Sequence, residues 1–258
     1  MILKSFWHYP VKGIGGSKVD QASLTIAKHF PGDRLFAVGN GHAKHRETPP
    51  GAWLKKAFFL QMLKHERLAK LDCALEGDQI RFNHQGKIVL EADIGAISSA
   101  EGQATMRRIT AFFTEFMGDE APGELQFMRC GEGAYTDQSQ PLISLGGSAS
   151  LDAFAKMTGT NSDARRFRLN MIFETSTAYE EETRLLDKII TLGDAQLRVV
   201  EPVGRCGAIN VDPTTAKRGP DYLRVMRETL GHSDLGVFAI VTKGGLVKPG
   251  DRLAIANP

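Results

Sequence analysis

Short apolar runs alternate with turn-forming clusters from the first residues onward, and this spacing predicts strands more often than helices. Leu24-Thr25-Ile26 and Leu35-Phe36-Ala37-Val38 are apolar runs bounded by turn residues, and Gly39-Asn40-Gly41 reads as a tight turn after the second. Residues 68–75, 79–83 and 87–91 read as a three-strand meander, with Glu76-Gly77-Asp78 and His84-Gln85-Gly86 as its turns. Later strands are expected at 167–174, 196–203 and 236–242, the last pairing with 251–255. Helical periodicity is rarer. Over 105–117 it places Met106, Ile109, Phe112, Phe113 and Phe116 on one face, and Gly118 ends the run. A second helix is expected at 150–157, with Ser150 as N-cap, and a third at 221–230.

This inventory predicts a mostly-β (α+β) protein of two β-barrel-like domains with a few peripheral helices. The polar, Pro- and Gly-bearing stretch 118–124 is the candidate boundary, dividing the chain into 1–120 and 121–258.

Composition changes the picture by exclusion. With 32 basic and 30 acidic residues in 258, the balance argues against nucleic acid or an anionic membrane surface as partner. No apolar run approaches the roughly 20 residues needed to cross a bilayer. The N-terminus lacks the apolar core of a signal peptide. Three scattered cysteines, Cys73, Cys130 and Cys206, make neither a CxxC site nor a disulfide framework. A cytoplasmic location is the expectation.

Few motifs carry chemistry. There is no GxxxxGK[ST] loop, no GxGxxG, no HExxH and no GxSxG. His42 and His45 lie in a Gly/Lys-rich turn with no third ligand in view, so a solvated loop is the better reading. Glu180-Glu181-Glu182 is expected to open a helix or to face solvent. Cys73 and Cys130 read as small structural residues. Cys206 follows an apolar strand and stands beside Arg205, which would favour a thiolate, the form that ligates soft metals or attacks electrophiles. From spacing alone, a buried structural thiol and a reactive or ligating one both remain open.

The surrounding residues resemble the MOSC domain, named for the C-terminal domain of molybdenum cofactor sulfurase. Its Arg-Cys pair and following Val-Asp-Pro match Arg205-Cys206 and Val211-Asp212-Pro213. Four more segments match in family order. Tyr9-Pro10-Val11-Lys12 and Gly32-Asp33-Arg34 resemble motifs of the β-barrel domain that precedes MOSC in one branch. Arg166-Phe167-Arg168-Leu169-Asn170 resembles an Arg-Phe-Arg-x-Asn strand, and 235–238 with 247–251 resembles the closing hairpin. That branch includes the mitochondrial amidoxime-reducing component and its stand-alone bacterial relatives.

The resemblance implies a molybdenum cofactor, a pterin bearing the metal, between the two domains. It makes Cys206 the metal ligand and catalytic centre. It also implies cofactor contacts from Lys12, Gly13, Arg34, Ser144, Arg168, Asn170, Arg205, Asn210 and Asp212, and does not call for pyridoxal phosphate. Lysine and arginine suit a phosphate, and asparagine suits a pterin edge. The implied activity is reduction of small N-hydroxylated compounds. Without a Cys cluster for an iron–sulfur centre, electrons would come from a separate flavin or iron–sulfur protein. The alternative is a non-catalytic cofactor carrier or a sulfur-transfer protein with a persulfide on Cys206. A metal-free cysteine hydrolase would need a base, and only His232 is near in sequence. Two departures bear on the pocket. Gly13 stands where relatives commonly have Ser, so a contact there would come from backbone N–H. Gly207-Ala208-Ile209-Asn210 replaces a stretch often rich in hydroxyls, which predicts a reshaped substrate pocket.

Overall fold

A computed structural model describes residues 1–256. In chain order its strands are β1 (Ile2–His8), β2 (Ser17–Val19), β3 (Ala22–Leu24), β4 (Phe36–Gly39), β5 (Leu71–Glu76), β6 (Gln79–His84), β7 (Lys87–Asp93), β8 (Gln126–Arg129), β9 (Ile143–Gly147), β10 (Met171–Glu174), β11 (Ile189–Leu192), β12 (Ala195–Gly204), β13 (Asp234–Lys243), β14 (Gly245–Val247) and β15 (Leu253–Ile255). The helices are α1 (Lys44–Glu47), α2 (Ala100–Met117), α3 (Ser148–Thr158), α4 (Glu180–Leu185) and α5 (Tyr222–Leu230). The fold is mostly β, as the apolar alternation predicts.

One large sheet has the order β15-β11-β12-β13-β9-β10-β1-β2. Its pairings are antiparallel except for β9 with β10. The β15 edge of the sheet approaches β1, because Leu3 donates to the Asp251 carbonyl and Leu253 donates to that of Met1. The described residues form no continuous closed barrel; this is a curled sheet rather than the barrel expected. Strands far apart in the sequence meet twice: β1 pairs with β10, and β3 with β14. The other sheets are the β5-β6-β7 meander and the β4-β8 ribbon.

Helix α2 forms as its periodicity requires. Ser99 caps it by accepting from Gly102 N at 3.0 Å, and Ile109, Phe113 and Met117 are buried along one face. Phe113 packs on Phe82 and Phe127, which closes the core of the meander and ribbon. A second core fills the large sheet with Leu145, Met171, Leu197 and Val237.

Three local expectations need correction. The closing hairpin does not form: β13 pairs with β12 and β9, whereas β15 pairs with β11. The strand expected at 167–174 begins only at Met171, because Arg168 adopts φ 54° and breaks the extended run. Helix α3 starts at Ser148 rather than after Ser150. Ser150 lies buried in the first turn, donating to Glu181 Oε1 at 2.6 Å and accepting from Tyr179 N at 2.8 Å.

Candidate functional site

A cavity of about 420 Å³ lies among the turn after β1, the turn before β4, the start of β9, the turn before β10 and the end of β12. That volume is within the range of small-molecule sites, about 300–1,000 Å³. Strand register explains how β12 reaches it. The β12–β13 ladder slips between Val199 and Glu201 and again between Pro202 and Gly204. Such bulges re-aim side chains. The core-facing alternation of Leu197 and Val199 ends there, and residues 201–204 border the cavity.

The cavity gathers Lys12, Gly13, Arg34, Ser144, Arg168, Asn170, Arg205 and Cys206 from the expected set. Asn210 and Asp212 are not brought to it. Asn210 accepts from Tyr222 N at 3.1 Å and holds the start of α5. Asp212 accepts from the backbone of Thr214 and Thr215 and pairs with Arg166 at 2.9 Å. Arg166 in turn donates to the Ile209 and Val211 carbonyls at 2.9 and 3.2 Å. Both residues therefore shape the loop that follows Cys206.

Charge is the main property of the cavity wall. Six basic side chains line it (Lys12, Arg34, Lys56, Arg166, Arg168 and Arg205) against three acidic ones (Asp33, Asp137 and Glu201). Burial, with repulsion from Arg34, brings the Arg168 guanidinium down to about 10. Burial also brings Arg205 down to about 10, against the attraction of Cys206 and Glu182. Burial lowers Lys12 too, opposed by Asp137. Positive charge held against its own desolvation marks a place that gains from a bound anion.

Backbone geometry agrees. Arg34 and Arg168 have φ of 48° and 54°, a conformation costing about 1–3 kcal/mol that persists only where the surroundings impose it. Both guanidinium groups lie against the Tyr9 ring, at 4.9 and 4.6 Å. Arg34 also pairs with Asp33 and donates to the Arg168 carbonyl, while Arg168 donates to that of Ile14. Gly13 has φ 89°, and a Cβ there would stand 2.6 Å from the Leu60 carbonyl oxygen. Only glycine fits, so no side-chain hydroxyl can follow Lys12.

Ser144 and Asn170 lie side by side at the cavity. Ser144 Oγ donates to Asn170 Oδ1 at 2.9 Å and accepts from Asn170 N at 3.0 Å. Cys206 is half-buried, whereas Cys73 and Cys130 are buried, the structural placement expected of them. Sequence reasoning missed Lys56 and Asp137. Asp137 bridges Lys12 at 2.6 Å and Lys56 at 2.9 Å. Burial pushes its carboxyl up, but the two ammonium groups outweigh this and hold it at about 2. Nothing in the local pattern around Asp137 singled it out, because its partners are more than 80 residues away. His42 and His45 join no metal cluster among the described residues.

The glutamate run does open α4, but only part of it meets solvent. Glu181 is 2% exposed and accepts from Gly147 N and Ser150 Oγ. Glu182 accepts from Gly236 N, and burial beside Glu181 raises its carboxyl to about 7, against the pull of Gly236 N–H and Arg205. The folded state thus holds this proton more tightly than the unfolded chain. Stability is full below about 4.5, the ordinary value, and falls as pH rises toward 7. Glu182→Gln keeps an acceptor for Gly236 and removes the charge. Thermal melts should show the variant above wild type by a few degrees at pH 8 and level with it at pH 5.

Comparison with known proteins adds the family. Residues 135–254 match the model described as MOSC domain. This stretch, a little under half of the chain, is similar to a MOSC domain. The family is associated with the molybdenum cofactor. The described residues place Ser144, Arg168, Asn170, Arg205 and Cys206 within the MOSC stretch, and Lys12, Gly13 and Arg34 outside it. The curated relatives matched include molybdenum cofactor sulfurase of Drosophila pseudoobscura pseudoobscura, 35% identical over 74 residues, and of Drosophila melanogaster, 34% identical over 74 residues. Each match covers 28% of this chain and 9% of the relative's length. Among solved structures, the YUAD protein of Bacillus subtilis is 13% identical, with a TM-score of 0.44 over 98% of this chain and 94% of that one. YiiM of Geobacillus stearothermophilus is 22% identical, with a TM-score of 0.36 over 45% of this chain and 54% of that one. No helix among the described residues is long and apolar enough to cross a membrane.

Proposed function

We propose that the protein is a molybdenum-cofactor oxidoreductase that reduces small N-hydroxylated compounds, with electrons from a separate flavin or iron–sulfur protein. The observation that carries this reading is the meeting, in one cavity, of a half-buried thiol with cationic side chains that the nearby acids do not balance. The donor set fits the group. Cys206 would hold the metal through sulfur, the soft ligand such a centre takes. Lys12, Arg34 and Arg168 would bind the phosphate, since Asp137 and Asp33 offset only part of the positive charge they hold at the cavity. Ser144 and Asn170 present polar edges for a pterin. When bound, the cofactor supplies the two-electron chemistry that removes oxygen from the substrate. The chain supplies the rest. Arg205 stays cationic beside Cys206 and donates to the Leu235 and Phe167 carbonyls, which fixes the turn that presents the thiol. Phe167 and Phe238 supply apolar wall between the polar groups.

The name of the Drosophila relatives favours a second reading, in which Cys206 carries a persulfide in sulfur transfer. One preparation separates the two. Protein from molybdate-replete cells should contain molybdenum in stoichiometric amount and reduce benzamidoxime with reduced methyl viologen. Loaded protein inactive on both benzamidoxime and hydroxylaminopurine would sink the reductase reading. A labile mass gain of one sulfur on Cys206, without molybdenum, would establish the other.

A further inference from the structure

The loop after Cys206 meets a segment that no motif covered. Residues 61–66 form a turn closed by Lys64 N and His65 N donating to the Gln61 carbonyl. Its Leu63 side chain lies over Gly207, so close that a Cβ on Gly207 would stand 2.8 Å from Leu63 Cδ1. Leu63 and Met62 line the cavity together with Cys206. Glycine at 207, one of the departures noted in the sequence, thus has a physical reason: it leaves room for Leu63 at the residue that follows Cys206.

The turn is also latched. Backbone pairing between Val211 and Arg218 folds the 211–218 loop back on itself. Arg218 then reaches Glu66, Nε to Oε1 at 2.5 Å, and donates through Nη2 to the Leu63 carbonyl at 2.8 Å. Beneath these bonds Met62 and Ala69 pack on Val211 and Ala216. The apolar contact holds the turn, and the arginine fixes the residue that packs on Gly207.

We infer that Leu63, seated on Gly207 and held by Arg218, sets how large a group can reach the Cys206 sulfur, and so limits the substrate at its reacting end. This rests on Cys206 being the reactive thiol of the cavity, and its test does not require the cofactor. A wall of Leu63, Met62, Ala208 and Ile209 on this side, opposite in character to the arginine set, suits a compact and uncharged reacting group.

The full chain produced without molybdate offers one half-buried thiol, because Cys73 and Cys130 are buried. Alkylation of Cys206 by slim iodoacetamide and by bulky pyrenylmaleimide, followed by peptide mass mapping, reads the aperture. Leu63→Ala should raise the pyrenylmaleimide rate about tenfold and change the iodoacetamide rate by no more than about twofold, since reactivity follows access at constant thiol chemistry. Leu63→Met should match wild type. Leu63→Val should fall between and serves if the alanine variant does not fold, and Arg218→Gln should move in the same direction as Leu63→Ala. An unchanged ratio of the two rates in the Leu63→Ala and Leu63→Val proteins overturns the inference, as does a Cys206 that neither reagent modifies. Molybdenum content of the same variants, produced with molybdate, reports separately on the cofactor reading.

Discussion

Cys206→Ser protein is expected to purify folded but without stoichiometric molybdenum, and to lose benzamidoxime reduction. Oxygen is a hard donor, so the exchange of one atom removes the soft ligand while leaving the shape of the side chain. Losing an outer-sphere partner of a metal typically costs about 10–100-fold, and losing the ligand itself should exceed the upper end of that range. Stability should hardly move. Cys206 is half-buried, and a conservative change at such a site is usually within about 0.5 kcal/mol. Metal analysis and a thermal melt on the same sample check both halves. The buried cysteines make the control: Cys73 is 0% exposed and Cys130 is 2% exposed. Serine at either should lower the melting temperature and leave molybdenum content intact. If Cys206→Ser keeps its metal, the thiol is not the ligand, whatever the activity.

The second large effect is expected at Arg166, which lines the cavity and braces the loop after Cys206. Its side chain is 2% exposed and serves three acceptors: the Ile209 and Val211 carbonyls and the Asp212 carboxylate. Removing one partner of a buried ionic network costs about 3–5 kcal/mol, because the groups left behind stay desolvated. Arg166→Ala should therefore lower the melting temperature by about 10 °C, taking roughly 2–4 °C per kcal/mol for a chain of this size. Asp212→Asn should cost less, since the amide oxygen can still accept from the Thr214 and Thr215 backbone. Because both residues act through one network, the double variant should cost less than the sum of the singles. Denaturant titration of the four proteins gives the cycle. A fully additive result would show that the two do not share the brace.

Asp212 and its neighbour Asn210 stand in the matched motif without lining the cavity. The resemblance placed Asn210 and Asp212 at the cofactor because they stand in the matched motif. The structure turns both away: Asn210 holds α5, and Asp212 holds Arg166. A motif marks residues that a local geometry requires, and a brace can be as necessary to that geometry as a contact. Arg205 and Cys206, in the same motif, do face the cavity.

Local order was legible where the pattern repeats over several residues. Helix α2 follows from Met106, Ile109, Phe112, Phe113 and Phe116 at helical spacing, and the meander follows from alternation broken by Gly77 and Gly86. The mostly-β class and the candidacy of Cys206 came from the same kind of near-neighbour information, strengthened by resemblance. Partner choice was not legible. β1 with β10, β3 with β14, and β15 with β11 rather than β13 are pairings across the chain. Any strand offers the same backbone groups to any other, so only competing burial of whole faces selects among them. The cavity belongs to that second kind of information. Lys12 meeting Asp137, Arg34 stacking with Arg168 on Tyr9, and Leu63 settling on Gly207 each join segments distant in sequence, and each depends on shape and charge that exist only once the large sheet has curled.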